Sequence, residues 1–209
     1  MFISICRHTR QSSDGGIFLK EITLVKHFFV LIALLLLSSF AVAEKLSGVV
    51  QGGGPSAVVL EPVPAKAFPP SNRAVTIDQR GLKFVPTLVV IQQGTTVEFK
   101  NSDTVSHNIF WPNISGDKKL GHNLGTAASG QSQKFKFTAP GNISVLCNIH
   151  PEMSANIVVS PSPYFAQTDA TGAFSINDVP EGTYKATVWR KGKATTVNVT
   201  VKGDTKLNF

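Results

Sequence analysis

Sulfur is nearly absent from this chain. Its 209 residues hold two cysteines and two methionines, and only two tyrosines and two tryptophans stand beside fourteen phenylalanines. Met1 and Cys6 lie ahead of an apolar segment that reads as a removable leader, so a processed chain keeps Cys147 and Met153 as its sole sulfurs. That poverty excludes a disulfide framework. It also argues against a structural zinc site, which draws two or more thiolates into a set of four strong ligands. Charge is sparse as well: 16% of residues are charged, with a balance of +7. The surplus lysines and arginines are scattered and no nucleic-acid motif accompanies them, so no nucleic-acid partner is expected and the modest basicity suits an acidic protein surface.

Long hydrophobic runs are lacking too, with one exception near the start. Lys26 to Ala43 has a basic lead, an apolar run and a small-residue end, Ala41-Val42-Ala43, which together read as a secretory signal cleaved before Glu44. The run falls short of the roughly 20 apolar residues of a membrane helix, and no cysteine follows it to carry a lipid. Residues 1–24, with Asp14, Gly15-Gly16 and Glu21, are unlike the start of a signal, and translation is expected to begin near Val25. The expected destination is the periplasm or the exterior, with no membrane association after cleavage.

What the chain does have is Cys147-Asn148-Ile149-His150-Pro151-Glu152-Met153, with both remaining sulfurs and an imidazole on one short stretch. A thiolate, an imidazole and a thioether make a soft ligand set that selects copper over magnesium or calcium. A Cys–His nucleophile is a poor alternative, because the base stands only three residues along a loop with no third residue to orient it. A trigonal His2Cys site with a weak axial Met needs one more histidine. His107 is the better candidate. Residues 95–100 alternate, with Val97 and Phe99 on one face, so they predict a half-buried strand; His107 follows a polar turn, at or near the start of the next strand. Lys134 to Phe137 alternates again, Pro140-Gly141 breaks the chain, and Ile143, Val145 and Cys147 share the inward face of a further strand. His122 lies in a loop rich in Gly and Lys and is expected to be solvated. One spare imidazole cannot build the extra centre of a copper oxidase or nitrite reductase, and the absence of a second loop cysteine excludes a dinuclear centre.

On these residues, His107-Asn108 after a strand, Pro140-Gly141 and Cys-x2-His-x2-Met, the stretch from about Arg73 to Ser160 resembles a cupredoxin of the amicyanin and plastocyanin type. The resemblance implies a Greek-key β-sandwich holding one type 1 copper, with His107, Cys147 and His150 as equatorial ligands and Met153 axial. It also implies that Asn108 ties the two ligand loops together by hydrogen bonds. Electrons would leave by the exposed edge of His150, inside an apolar patch of Pro151, Phe110, Trp111 and Pro112. The expected protein is a monomeric carrier, not an enzyme. Its redox partner proteins would be a cytochrome or a periplasmic dehydrogenase, of which an amine-oxidising one would place the chain in methylamine utilization. Ile143 departs from the pattern, since many members carry an aromatic residue there.

The surplus length lies at both ends. Asp169-x-x-Gly172-x-Phe174 followed by Val179-Pro180-x-Gly182-x-Tyr184 resembles the carboxypeptidase-regulatory, prealbumin-like sandwich, and Leu46 to Val50 with Ala57 to Leu60 is similar to that family's opening strands. The expected fold class is therefore all-β, with a second small sandwich split by the copper domain. Residues 1–43 would be extension and signal, 44–68 the first strands of the split sandwich, 69–160 the cupredoxin and 161–209 the remainder. Tyr184 and Trp189 are expected as core and strand residues. The rival functions are copper delivery without electron transfer, and a structural or carbohydrate-binding sandwich with a metal site.

Overall fold

The computed structural model describes residues 43–209, so the leader, the start near Val25 and Cys6 lie outside the described residues. The first stretch carries β1 (Ala43–Val49) and β2 (Ala57–Val63). The middle stretch carries β3 (Ala74–Gln79), β4 (Phe84–Val85), β5 (Leu88–Gln92), β6 (Thr96–Asn101), β7 (His107–Trp111), β8 (His122–Ala127), β9 (Ser132–Lys136), β10 (Gly141–Leu146) and β11 (Ser154–Ser160). The last carries β12 (Phe165–Gln167), β13 (Ala173–Pro180), β14 (Gly182–Arg190), β15 (Lys193–Val201) and β16 (Thr205–Lys206). The fold is all-β, as expected.

In the middle stretch a five-stranded sheet, β5-β11-β10-β7-β8, faces a four-stranded one, β4-β3-β6-β9. Alternation explains the pairing of faces. Val97 and Phe99 of β6 and Ile143 and Val145 of β10 are fully buried and meet in one core with Trp111, Phe137 and Ile157. Each such side chain contributes about 1.5–3 kcal/mol when taken out of water. Two strand pairs are parallel, β3 with β6 and β5 with β11, which requires the chain to cross between the sheets.

The strands from the two ends of the described chain pair with each other. β1 lies between β13 and β16, and β2 lies between β12 and β14, with β15 beyond β14. Leu46, Val58, Leu60, Phe174, Ile176, Tyr184 and Val188 form their shared core. The two motifs of the last stretch are structural. Asp169 accepts hydrogen bonds from the Thr171 and Ala173 amides and the Thr171 hydroxyl, closing the turn before β13. The Tyr184 hydroxyl donates to the Pro180 carbonyl at 2.8 Å, pinning the β13–β14 corner in the manner of a tyrosine corner. Trp189 is half-buried on β14.

A strand buried on one face alternates; a strand buried on both reads as a continuous apolar run. β2 is of the second kind. Val58 and Leu60 face the core just described, while Ala57 and Val59 pack with Leu88 of β5 and Val158 of β11. β5 and β11 repeat the pattern, with Val89, Ile91, Ile157 and Val159 in the middle core and Leu88, Val90 and Val158 against the neighbouring sheet, where Phe165 and Trp189 complete the contact.

This packing sets what truncation should do. A segment spanning 70–160 keeps its own core and should fold, but Leu88, Val90 and Val158 lose their cover. Size-exclusion chromatography should find it self-associating as concentration rises, and Leu88→Lys with Val158→Lys should return it to a monomer. Ending the chain at residue 160 removes every partner of β1 and β2, and such unpaired apolar strands aggregate. A soluble, monomeric product of that truncation would contradict the observed pairing.

Candidate metal centre

The site is assembled from three loops at one end of the middle sandwich. β6 ends at Asn101, whose side chain is fully buried and holds the polar turn that follows. Its amide donates to the carbonyls of Val105 at 2.8 Å and Ala127 at 3.0 Å, and its oxygen accepts from the Asp103 amide at 3.0 Å. That turn delivers His107 as the first residue of β7, with 0% of its surface exposed. From the other side, β10 ends at Leu146 and Cys147 follows in the same inward phase, 2% exposed. The chain then folds back, the Met153 amide donating to the His150 carbonyl at 3.0 Å, before β11 begins at Ser154. Met153 is 1% exposed and shares the core with Cys147, while His150 is only half-buried.

The ligand atoms of His107, Cys147 and His150 all lie within 4.8 Å of one another. The Nδ1 atoms of His107 and His150 are 3.0 Å apart, the kind of spacing two imidazole nitrogens take when each sits about 2.0–2.1 Å from one metal ion. The two rings meet edge to face, with centroids 4.8 Å apart. On its far side His107 presents Nε2 to the Asp103 carboxylate at 2.8 Å. That contact places the ring proton on Nε2 and leaves the Nδ1 lone pair turned into the cluster, as a metal ligand requires. Asp103 is itself held, its two oxygens accepting from the amides of Gly81 at 2.6 Å and Leu82 at 3.0 Å. Partial burial pushes the Asp103 carboxyl up, but the hydrogen bonds from Leu82, Gly81 and His107 together hold it below the usual carboxylate range. The Asn108 amide donates to the Cys147 sulfur at 3.4 Å, a hydrogen bond to the atom that would ligate the metal.

Two expectations, those for His122 and Trp111, are corrected. His107, Cys147 and His150 converge, and Met153 lies buried at the end of the same loop. The link through Asn108 is made by its backbone amide; its side chain instead donates to Asn123 at 3.0 Å. His122 is not a loop residue but the first residue of β8, exposed and stacked near Trp111 with centroids 5.4 Å apart. Trp111 is not part of a surface patch: it is 1% exposed and its indole donates to the Leu120 carbonyl. Its place follows from strand parity, because His107, Ile109 and Trp111 share one face of β7 and all point inward. Asp103 and Asn101 escaped the sequence reading, since a polar turn gives no sign of which of its side chains fold back.

Residues 71–160 match the family of copper binding proteins of the plastocyanin/azurin kind. Residues 148–208 match polysaccharide lyase family 4, domain II, a different domain from the carboxypeptidase-regulatory one expected there. Amicyanin-alpha of Methylorubrum extorquens is 32% identical over 80 residues, 37% of this chain and 65% of that relative, so the chain spans about two thirds of its length. Among solved structures, amicyanin from Paracoccus versutus is 21% identical with a TM-score of 0.38, covering 43% of this chain and 83% of that one. A copper-containing nitrite reductase from Thermus scotoductus is 31% identical with a TM-score of 0.38, covering 46% of this chain and 24% of that one. The middle of this chain is thus similar to the plastocyanin/azurin copper binding proteins, and copper is the cofactor that its histidine–cysteine–histidine cluster fits.

Proposed function

We propose that this protein is an exported, mononuclear type 1 copper protein that passes single electrons between redox partner proteins. Copper, when bound, supplies a one-electron Cu(I)/Cu(II) couple. The observation that carries the reading is the convergence of the His107 and His150 Nδ1 atoms with the Cys147 sulfur, the His107 proton being turned away to Asp103. In this reading His107, Cys147 and His150 are the equatorial ligands and Met153 the axial one.

The chain's own residues would do three things. The adjacent strands β7 and β10 of the five-stranded sheet hold His107 and Cys147 at their ends, where close packing leaves little room for the ligands to shift between oxidation states. Burial of Cys147 and Met153 keeps water from the sulfurs. His150, half-buried, provides the way out. The loops that build the site carry exposed apolar side chains: Leu82 on the turn that holds Asp103, Val105 on the turn before His107, and Ile149 next to His150, at 41%, 44% and 45% exposure, with Pro151 following His150. Such a surface suits brief docking with a protein partner, whether a cytochrome or a dehydrogenase, and it takes the place of the patch expected around Trp111.

For the chain as a whole, residues 1–43 are proposed as extension and signal, 69–160 as the copper domain, and 44–68 with 161–209 as the split second sandwich. Periplasmic or secreted localisation belongs to the same reading.

Addition of Cu(II) to the purified protein should produce intense blue or green thiolate-to-copper absorption; a colourless product would remove the type 1 assignment. Cys147→Ser should abolish the colour, and Met153→Leu should keep it while raising the redox potential, because axial donation to Cu(II) is lost. His122→Ala should change neither spectrum nor copper affinity.

The docking surface is tested apart from the metal. Ile149→Lys should slow electron exchange with a protein partner roughly tenfold, about 1.4 kcal/mol, with the absorption spectrum unchanged, as stopped-flow mixing would measure. Equal rates would exclude this surface. Trp111→Ala should act differently, lowering thermal stability by about 3–5 kcal/mol as a core truncation.

A further inference from the structure

Asp103 stands four residues before His107, on the outer side of the ring, and is only 15% exposed. Its position is set from two directions. Its own amide donates to the buried Asn101 side chain, and its carboxylate accepts from the Gly81 and Leu82 amides. Those two amides belong to the hairpin turn between β3 and β4, closed by the Arg80 amide on the Lys83 carbonyl at 3.0 Å. Gly81 and Leu82 both take positive φ, +64° and +57°, the pattern of a two-residue type I′ turn. That conformation is unfavourable for a leucine, and here it aims two successive N–H groups at one carboxylate. The Oδ2 atom then serves both Leu82 and His107.

We propose that Asp103 is the positioning residue of the metal centre, its clamped carboxylate fixing the His107 ring with Nδ1 toward the cluster and biasing the bound ion toward Cu(II). This rests on the type 1 copper reading. A fixed negative charge close behind a ligand ring stabilises the dication more than the monocation, and a carboxylate on the outer imidazole nitrogen raises the basicity of the inner one. Both effects act in the same direction. Asp103 is not itself a ligand; it acts on the ion through the His107 ring it holds and through its charge behind that ring.

The test compares variants by potential and spectrum. Asp103→Asn keeps an acceptor of the same shape and removes the charge; its copper form should stay coloured, with Cu(II) affinity reduced relative to Cu(I) by tenfold or more, read as an upward shift of at least ~59 mV for a one-electron couple. Asp103→Leu removes the acceptor as well and should lower Cu(II) affinity by roughly 10–100-fold. A coloured Asp103→Asn protein with the wild-type potential would overturn the proposal. Nitrogen-15 spectra of wild-type protein loaded with diamagnetic Cu(I) give a reading that needs no variant. The His107 ring should carry a slowly exchanging proton on Nε2, and a ring bound to the metal through Nε2 would overturn the proposal as surely. A wild-type protein that takes up no Cu(II) and stays colourless removes the type 1 reading itself, an outcome separate from a coloured protein in which Asp103 has no effect.

Discussion

A fully buried imidazole has two ring nitrogens to satisfy, and an unmet one costs free energy comparable to a lost hydrogen bond or more. His107 lies under this constraint, with 0% of its surface exposed. Asp103 answers it on one side, and on the other the ring faces His150 and the Cys147 sulfur. The geometry around this ring accounts for much of the site. Asn101 holds the turn that brings His107 in, the Gly81–Leu82 amides hold the carboxylate, and the Asn108 amide beside the ring reaches the sulfur.

The same end of the sandwich combines two opposed requirements. Ligand sulfur has to be kept dry, and Cys147 and Met153 are accordingly deep in the core. An electron has to leave, and His150 stands half-exposed between the exposed Ile149 and Pro151 along the chain. Placing both sulfurs and the outer imidazole on one seven-residue stretch meets both needs, because the chain passes from core to surface and back within it.

Away from the site, the five-stranded sheet is covered on both sides along β5 and β11. Its inner face builds the copper-side core, and its outer face carries Leu88, Val90 and Val158 against Ala57, Val59, Phe165 and Trp189. The strands supplying that cover come from both chain ends, so the middle segment cannot leave its neighbours without exposing apolar surface. The two cores are separate, yet the layers between them are continuous.

Features that depend on local spacing were legible along the chain. Alternation at Val97, Phe99, Ile143, Val145 and Cys147 marked strands with one inward face, and the loop from Cys147 to Met153 declared its donors because they are neighbours along the chain. Parity also carried more than was read from it: once His107 faces inward, Trp111 must too. Other features rest on contacts between residues far apart in the chain. That His107 rather than His122 joins Cys147 and His150 depends on how β7 pairs with β10 in the five-stranded sheet, which brings the His107 end of β7 beside the loop after β10 and leaves His122 opposite Trp111 at the other end. That Asp103 holds His107 depends on a turn some twenty residues earlier in the chain, whose amides have no side-chain signature. That the apolar run Ala57 to Leu60 is buried on both faces depends on what packs over each face, Leu46, Phe174 and their neighbours on one side and Leu88 with Val158 on the other. Periodicity reports how many faces of a strand are buried, and it carries no information about what covers them, because hydrophobic burial is non-directional and accepts any complementary surface.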